Sequence, residues 1–412
     1  MKIIQKIKES IIMLKKYLLV FFVSLGSLSS LASDWPFWRG SDMDGIAKGE
    51  KWNPESIKTE VKVLWKGDMG AGYSMVAVKD SKVYTTGNKD DNDIIYCFEE
   101  KTGKKLWEYS FKCKGGGGYP GPRSSPVIKD GLVFGFGRDG DLVCVESEKG
   151  TLKWAKNLQK ECGAKNLEWS FASSPSFDGD MVMVNAGEHG MAFDMKTGKS
   201  LWENKGGVGN YSSVVPFGYK GKRFVAVFGK SDFYVLNALD GSEVDKVSWK
   251  TKYEINAADP LVLDEGSKIF ITSGYGHGCA LLKFDGKSLG KEWENTNMCS
   301  HFSSSVAIGK YIYGVDGNAG GGRLVCLDVA TGSLKWKENL GFGALVAADD
   351  KIIFLHEKGE IFIFKADTSG YKEIARAKSG LGATCWNMPV LANGRLYCRN
   401  EKGQFVCIDV SK

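Results

Sequence analysis

Seven tryptophans recur along the chain at nearly even intervals, and this recurrence constrains the fold more than any other feature. Trp65, Trp107, Trp154, Trp202, Trp249, Trp293 and Trp336 are separated by 42, 47, 48, 47, 44 and 43 residues. A period in this range marks a repeat architecture, in which each unit buries its apolar face only against its neighbours. A tight turn precedes the Trp, as in Thr102-Gly103 before Trp107, Thr197-Gly198 before Trp202 and Thr331-Gly332 before Trp336. An apolar strand lies upstream of the turn, and further upstream a Ser-Ser-Pro or similar segment leads into two more strands, as over 124–136. Four short strands per unit predict a β-propeller blade.

Residues 60–412 hold about 7.8 periods of about 45 residues, which predicts eight blades. The ends agree: the sequence stops after a third strand, while 61–66 is a lone Trp-bearing strand with no first three before it. A ring closed by the N-terminal strand is expected, because closure removes exposed sheet edges. Near Ile374 and Ala377, where an eighth Trp is due, there is none, so that blade is the expected weak point. The repeated Trp residues are read as packing between blades, each large enough to fill an inter-blade gap. The expected fold class is all-β, an eight-bladed propeller over 60–412, preceded by an N-terminal extension over 33–59 and a signal peptide over 1–32.

The signal-peptide reading rests on Lys15 and Lys16, an apolar run over 17–25, and Ser30 and Ala32 at the −3 and −1 positions of a cleavage site after Ala32. The run is short of the ~20 residues that span a bilayer, so a membrane anchor is the weaker alternative. Met13 is an alternative start, and no Cys near the cleavage site supports lipid attachment there. The leader holds five Lys and one Glu, which leaves 50 basic against 48 acidic residues beyond it. So even a balance excludes a dedicated nucleic-acid binder, which needs a concentrated basic stripe. The mature chain is expected to be exported, periplasmic or extracellular, and monomeric.

Ten cysteines in an exported chain raise the question of disulfides. Cys97, Cys144, Cys326 and Cys407 share one local pattern and read as small core residues of a repeated strand. The other six lie in or beside loops, where a bridge such as Cys113 with Cys162 is one option.

The turn pattern Phe193-Asp194, Thr197-Gly198, Trp202 and its copy Leu327-Asp328, Thr331-Gly332, Trp336 resembles the pyrroloquinoline quinone (PQQ) propeller repeat. The opening Asp34-Trp35-Pro36-Phe37-Trp38-Arg39-Gly40 is similar to the start of exported PQQ-like repeat proteins. The resemblance implies two branches of the quinoprotein alcohol dehydrogenase-like superfamily: PQQ-dependent dehydrogenases that hold the quinone with Ca²⁺, and non-catalytic BamB-like scaffolds with envelope protein or peptide partners. The enzyme branch implies a vicinal Cys-Cys disulfide and Ca²⁺ ligands of Glu, Asn and Asp type. No two Cys are adjacent here, and no such ligand set transfers residue by residue. The expectation is therefore a scaffold with no confident cofactor and no metal, with an atypical PQQ dehydrogenase or a glycan-binding propeller as alternatives. Fold alone does not decide between them.

With strands A to D numbered from the pore outward, D–A loops and B–C turns share one face. The D–A loops are long here, and 317–322 reads as a long B–C loop joining them. His189, His277, His301 and His356 all map to this face and are expected to be solvated turn residues. Loops on a rigid scaffold usually carry binding. Aligning the starts of strand A places Tyr73, Arg123, Ala172, Tyr211, Ala257, Phe302, Gly343 and Trp386 at equivalent positions around the pore mouth, with Asp259 and Asn387 beside them. Aromatics and an Arg converging there make a cup suited to a planar or anionic ligand or a peptide anchor. Trp169 joins the set because it holds no docking position. The candidate ligand or partner site is thus Tyr73, Arg123, Trp169, Tyr211, Asp259, Phe302, Trp386 and Asn387, with no catalytic residue among them. Asp42, Asp44 and Gly45 resemble the opening of a calcium loop, but Asn53 stands where its Glu is due, so they read as a turn.

Overall fold

Apolar side chains fill the second and third strands of each repeat, while the fourth alternates between buried and exposed positions. In Asn92–Glu99 the six central residues are buried, whereas Lys105–Lys112 buries only Trp107 outright. This pattern belongs to a sheet covered on both faces at its centre and meeting water at its outer edge. A computed structural model describes residues 33–412 apart from 115–117, 206 and 383, and Asp34–Lys412 forms one unit. The apolar segment 17–25, with Ser30 and Ala32, lies outside the described residues. Among these no helix is long and apolar enough to cross a membrane.

The units form an eight-bladed propeller of antiparallel four-stranded sheets. Seven blades are continuous in sequence, over 77–112, 127–157, 176–203, 215–248, 261–295, 306–338 and 343–378. The eighth combines three strands within 390–409 with Val63–Asp68, which pairs antiparallel with Gln404–Asp409 and closes the ring as the sequence predicts.

In every blade the register between strands C and D slips at the same place, a β-bulge that aims the following side chain at the next blade. That position holds Trp65, Trp107, Trp154, Trp202, Trp293 and Trp336. Each indole Nε1 donates to a backbone carbonyl in the next blade, of Glu100, Ser147, Met195, Ala238, Val329 and Asp367 respectively. The ring lies on the turn glycine. At Gly198, with φ of 69°, an added Cβ would stand 2.7 Å from Trp154, so both the left-handed backbone and the close approach require glycine. Gly103 stands in the same way against Trp65, which seals the last blade onto the first.

Two blades depart. In the fourth blade Asp245, not Trp249, follows the bulge, and its carboxylate accepts the backbone N–H of Leu289 in the next blade at 2.7 Å. Trp249 lies four residues on, donating to Ser273 Oγ at 2.9 Å and meeting the His277 ring edge-on. It is structural but not a docking Trp. Even spacing concealed this, because only hydrogen-bond register tells one position from the other. In the seventh blade Ala375 holds the docking position. That blade, the expected weak point, gains a fifth strand: Ile46–Ala47 pairs in parallel with Gly343–Ala348.

Cys97, Cys144, Cys326 and Cys407 stand directly across the ladder from Trp107, Trp154, Trp336 and Trp65, and all four are fully buried. A small side chain there leaves room for the indole. All ten cysteines are free and buried. Cys113 lies by Asp139, and Cys162 ends the short helix Leu158–Cys162, so the two are not bridged.

The extension crosses the inner strands of successive blades. Trp35 bridges Val78, Pro36 accepts from Ile128, Phe37 packs on Phe177, and the Arg39 guanidinium donates to the carbonyl of Ser305. It then forms Ile46–Ala47, after which Glu50 accepts from the backbone of Asn393 and Gly394. Asp42 and Asp44 pair with Lys48 in a local turn. The segment 317–322 is no loop: Tyr311–Asn318 and Gly321–Asp328 run as one long hairpin.

Candidate pore-mouth binding site

The residue two places before strand A sets up the site. There the backbone N–H of one blade donates to a side-chain oxygen of the next: Met75 to Ser125, Ser125 to Ser174, Ser174 to Ser213, Ser213 to Asp259, and Asp259 to Ser304. These bonds, 2.7–3.0 Å long and all buried but the last, fix the mouths of six blades relative to one another. The Ser-Ser-Pro segments of the sequence are their source.

Above this relay opens a cavity of about 490 Å³. Of the eight aligned positions, Tyr73, Arg123, Ala172, Tyr211, Ala257, Phe302 and Trp386 line it, as do Asp259, Asn387 and Trp169. Gly343 does not, being buried at the start of its strand against Phe354 and the carbonyl of Leu355. Three aromatic lining residues escaped the sequence reading. Tyr119 and Tyr275 come from connections of unequal length, which no alignment of strand starts can register. Trp38 comes from the extension, and its Nε1 donates to Asp259 Oδ2 at 2.6 Å, so its indole forms part of the cavity wall.

The aromatics form one connected wall. Tyr73 stacks on Trp386 at 5.6 Å, Tyr119 touches both Trp386 and Trp169, and Phe302 packs between Trp386 and His301. Trp386 is steered by Nε1 donating to Glu357, which also accepts from the backbone of Gly320. At the rim Tyr119, Trp169 and Tyr275 are 41%, 40% and 38% exposed, a large apolar surface to leave in water.

The polar groups are few. Arg123 lies over the Tyr73 ring at 5.8 Å and makes no ion pair with any described residue, and its buried Nη1 has no hydrogen-bond partner. Burial, reinforced by the neighbouring Arg138 charge, lowers its pKa to about 10. Both guanidiniums converge on the carbonyl of Tyr119, at 3.4 and 3.0 Å. They also line an adjoining cleft of about 290 Å³ with Lys114, Asp139 and Glu168. Burial lifts Tyr73 to about 12 and pushes His301 down to about 4. Asn387 donates to the Ser74 carbonyl, and its Oδ1 is unpartnered.

The histidines are not solvated. His189 stacks on Tyr234 at 4.5 Å, His277 meets Trp249, His301 sits between Tyr275 and Phe302, and His356 lies by Phe354 and Phe362. Ring-on-ring packing half-buries all four and lowers their pKa values by desolvation.

The donors do not fit Ca²⁺ with a quinone. Among the described residues no three His, Cys, Asp or Glu come together as metal ligands. Asp259 is the cavity's one lining carboxylate, and its oxygens already accept from Trp38, Ser213 and Ser304.

Fold and cavity define the class, an eight-bladed propeller of PQQ-like repeats with an aromatic cup at its pore mouth. Within that class the chain belongs to the family described as outer membrane protein assembly factor BamB, whose model it matches over residues 91–338. Among solved structures it is similar to BamB from Moraxella catarrhalis, with a TM-score of 0.63 and 15% identity over 85% of this chain and 97% of that one. It is also similar to the quinohemoprotein alcohol dehydrogenase from Comamonas testosteroni, with a TM-score of 0.69 and 13% identity over 92% and 81% of the two chains. Identities this low show the fold alone. No curated protein matches the chain.

Proposed function

We propose that the protein is a non-catalytic binding scaffold of the cell envelope, exported and monomeric, which grasps a partner protein through its pore-mouth face. The observation that carries this reading is the cup itself: a connected aromatic wall, exposed at its rim, whose one lining carboxylate is spent on internal hydrogen bonds. Such a surface offers large rigid anchors for association. Family membership supports an assembly role, and the signal-peptide pattern over 1–32 supports the compartment.

The test is site-specific photocrosslinking in cells, with the photoreactive residue at position 169 on the rim or at 201 on the outer edge of the third blade. Discrete adducts from 169 and none from 201 are expected. Equal labelling, or none, overturns the scaffold reading. A saturable thermal shift with PQQ and Ca²⁺ that Trp386→Ala abolishes would instead favour the dehydrogenase alternative.

A further inference from the structure

Arg123 is the one group in the cup whose chemistry the aromatic wall does not explain. A guanidinium in so apolar a place normally has a carboxylate beside it, because a desolvated charge is costly unless paired. Among the described residues Arg123 instead lies over the Tyr73 ring and donates, at 3.4 Å, to the Tyr119 carbonyl, which also accepts from Arg138. An anion beside Arg123 would satisfy its Nη1, which is buried without a hydrogen-bond partner among the described residues.

The surroundings indicate what carries the anion. Trp169 and Tyr119 wall both the cavity and the adjoining cleft, so an occupant that reaches the guanidiniums lies against these rings on either side. Tyr119, Trp169 and Tyr275 line the cavity and are also exposed at its rim, so an occupant can run from the guanidinium out along a continuous aromatic wall. Asp139 and Glu168 line the outer cleft with Lys114, which leaves the inner edge at Arg123 as the more cationic part.

We propose that the cup takes an acidic peptide segment, with an Asp or Glu carboxylate seated between Arg123 and Arg138 and apolar neighbours packed on Tyr119, Trp169 and Trp386. This rests on the scaffold reading and names the chemistry its partner presents. Arg123 supplies two parallel N–H donors that match a carboxylate, a geometry Lys cannot reproduce.

The experiment is display of randomised decapeptides against the full mature chain, followed by fluorescence titration of the enriched peptides. The expected consensus is an acidic residue flanked by aromatic or branched aliphatic ones. Replacing that acid by its amide should weaken binding about tenfold or more, as should Arg123→Gln, with Arg123→Lys intermediate. Binding should also weaken with added salt. Thermal melts verify that each variant is folded; if Arg123→Gln is not, Arg123→Lys and the amide peptides decide the matter. Enriched peptides that bind at the cup, as shown by loss in Trp386→Ala, yet have no acidic preference or ignore Arg123 would overturn this inference and leave the scaffold reading standing. Enrichment of no peptide sensitive to Trp386→Ala would overturn both.

Discussion

Trp38 and Asp259 lie 221 residues apart in sequence, yet the indole Nε1 of the first donates to the carboxylate of the second at 2.6 Å. The same carboxylate accepts the Ser213 backbone N–H at 2.7 Å and the Ser304 hydroxyl at 3.1 Å. Wall and relay are therefore one hydrogen-bonded structure. Asp259→Ala strands these donors in a dry site, at about 1–3 kcal/mol for each that finds no other partner. Asp259→Asn, which keeps one carbonyl oxygen, should lose less. Urea unfolding of the two variants measures the order; equal losses would mean that the second oxygen contributes nothing.

Docking of Trp onto glycine makes a comparison of two glycines informative. Gly163 has φ of 71° and nothing within 4 Å of an added Cβ, so Gly163→Ala should cost only the left-handed backbone penalty, about 1–2 kcal/mol. Gly198 has φ of 69° and the Trp154 ring in the way, so Gly198→Ala should cost a further ~1–3 kcal/mol of overpacking. Thermal denaturation of the pair reads the difference directly.

His301 makes stability depend on pH. Burial holds its pKa at about 4, below the ~6.5 of an unfolded chain, so the unfolded state binds the proton more readily. Its contribution is complete above about pH 6.5 and drains away as the pH falls toward 4, to a limit of about 3 kcal/mol. His301→Gln should flatten the stability profile over that window. A profile unchanged by the substitution would place the titration elsewhere.

All ten thiols are free and buried, and desolvation raises the pKa of Cys97, Cys144 and Cys407, each to about 12. The native chain should react negligibly with a thiol reagent at neutral pH, and the denatured chain should react fully without prior reduction. Fewer than ten equivalents after denaturation alone would reveal a bridge.

Blade number, ring closure and most of the cup were legible because they depend on local repetition. A turn glycine, a bulge and a Trp recur in each unit, and strand A starts can be aligned by eye. Trp249 was misread because counting tryptophans measures spacing, whereas docking is set by which residue follows the bulge; Asp245 does that work through a hydrogen bond. The long loop expected at 317–322 is ladder, because glycines there let the hairpin continue where composition suggested a break. Trp38 was beyond reach for a different reason. Its partners lie in several blades, and nothing near it in sequence encodes a path through the channel.

The shared eighth blade also dictates when the cup can exist. Lys62 pairs with Asp409 across 347 residues, and Asn387 and Arg399 of that blade both donate to the Ser74 carbonyl of the first. Contacts of such separation are slow to form and need the last strand to be present. At ~5–20 residues per second, synthesis alone separates the appearance of Lys62 and Asp409 by roughly 17–70 s. Throughout that interval the mouth has no Trp386 wall held against Tyr73. On the proposed scaffold reading, the cup is complete only in a molecule whose last blade has closed onto its first.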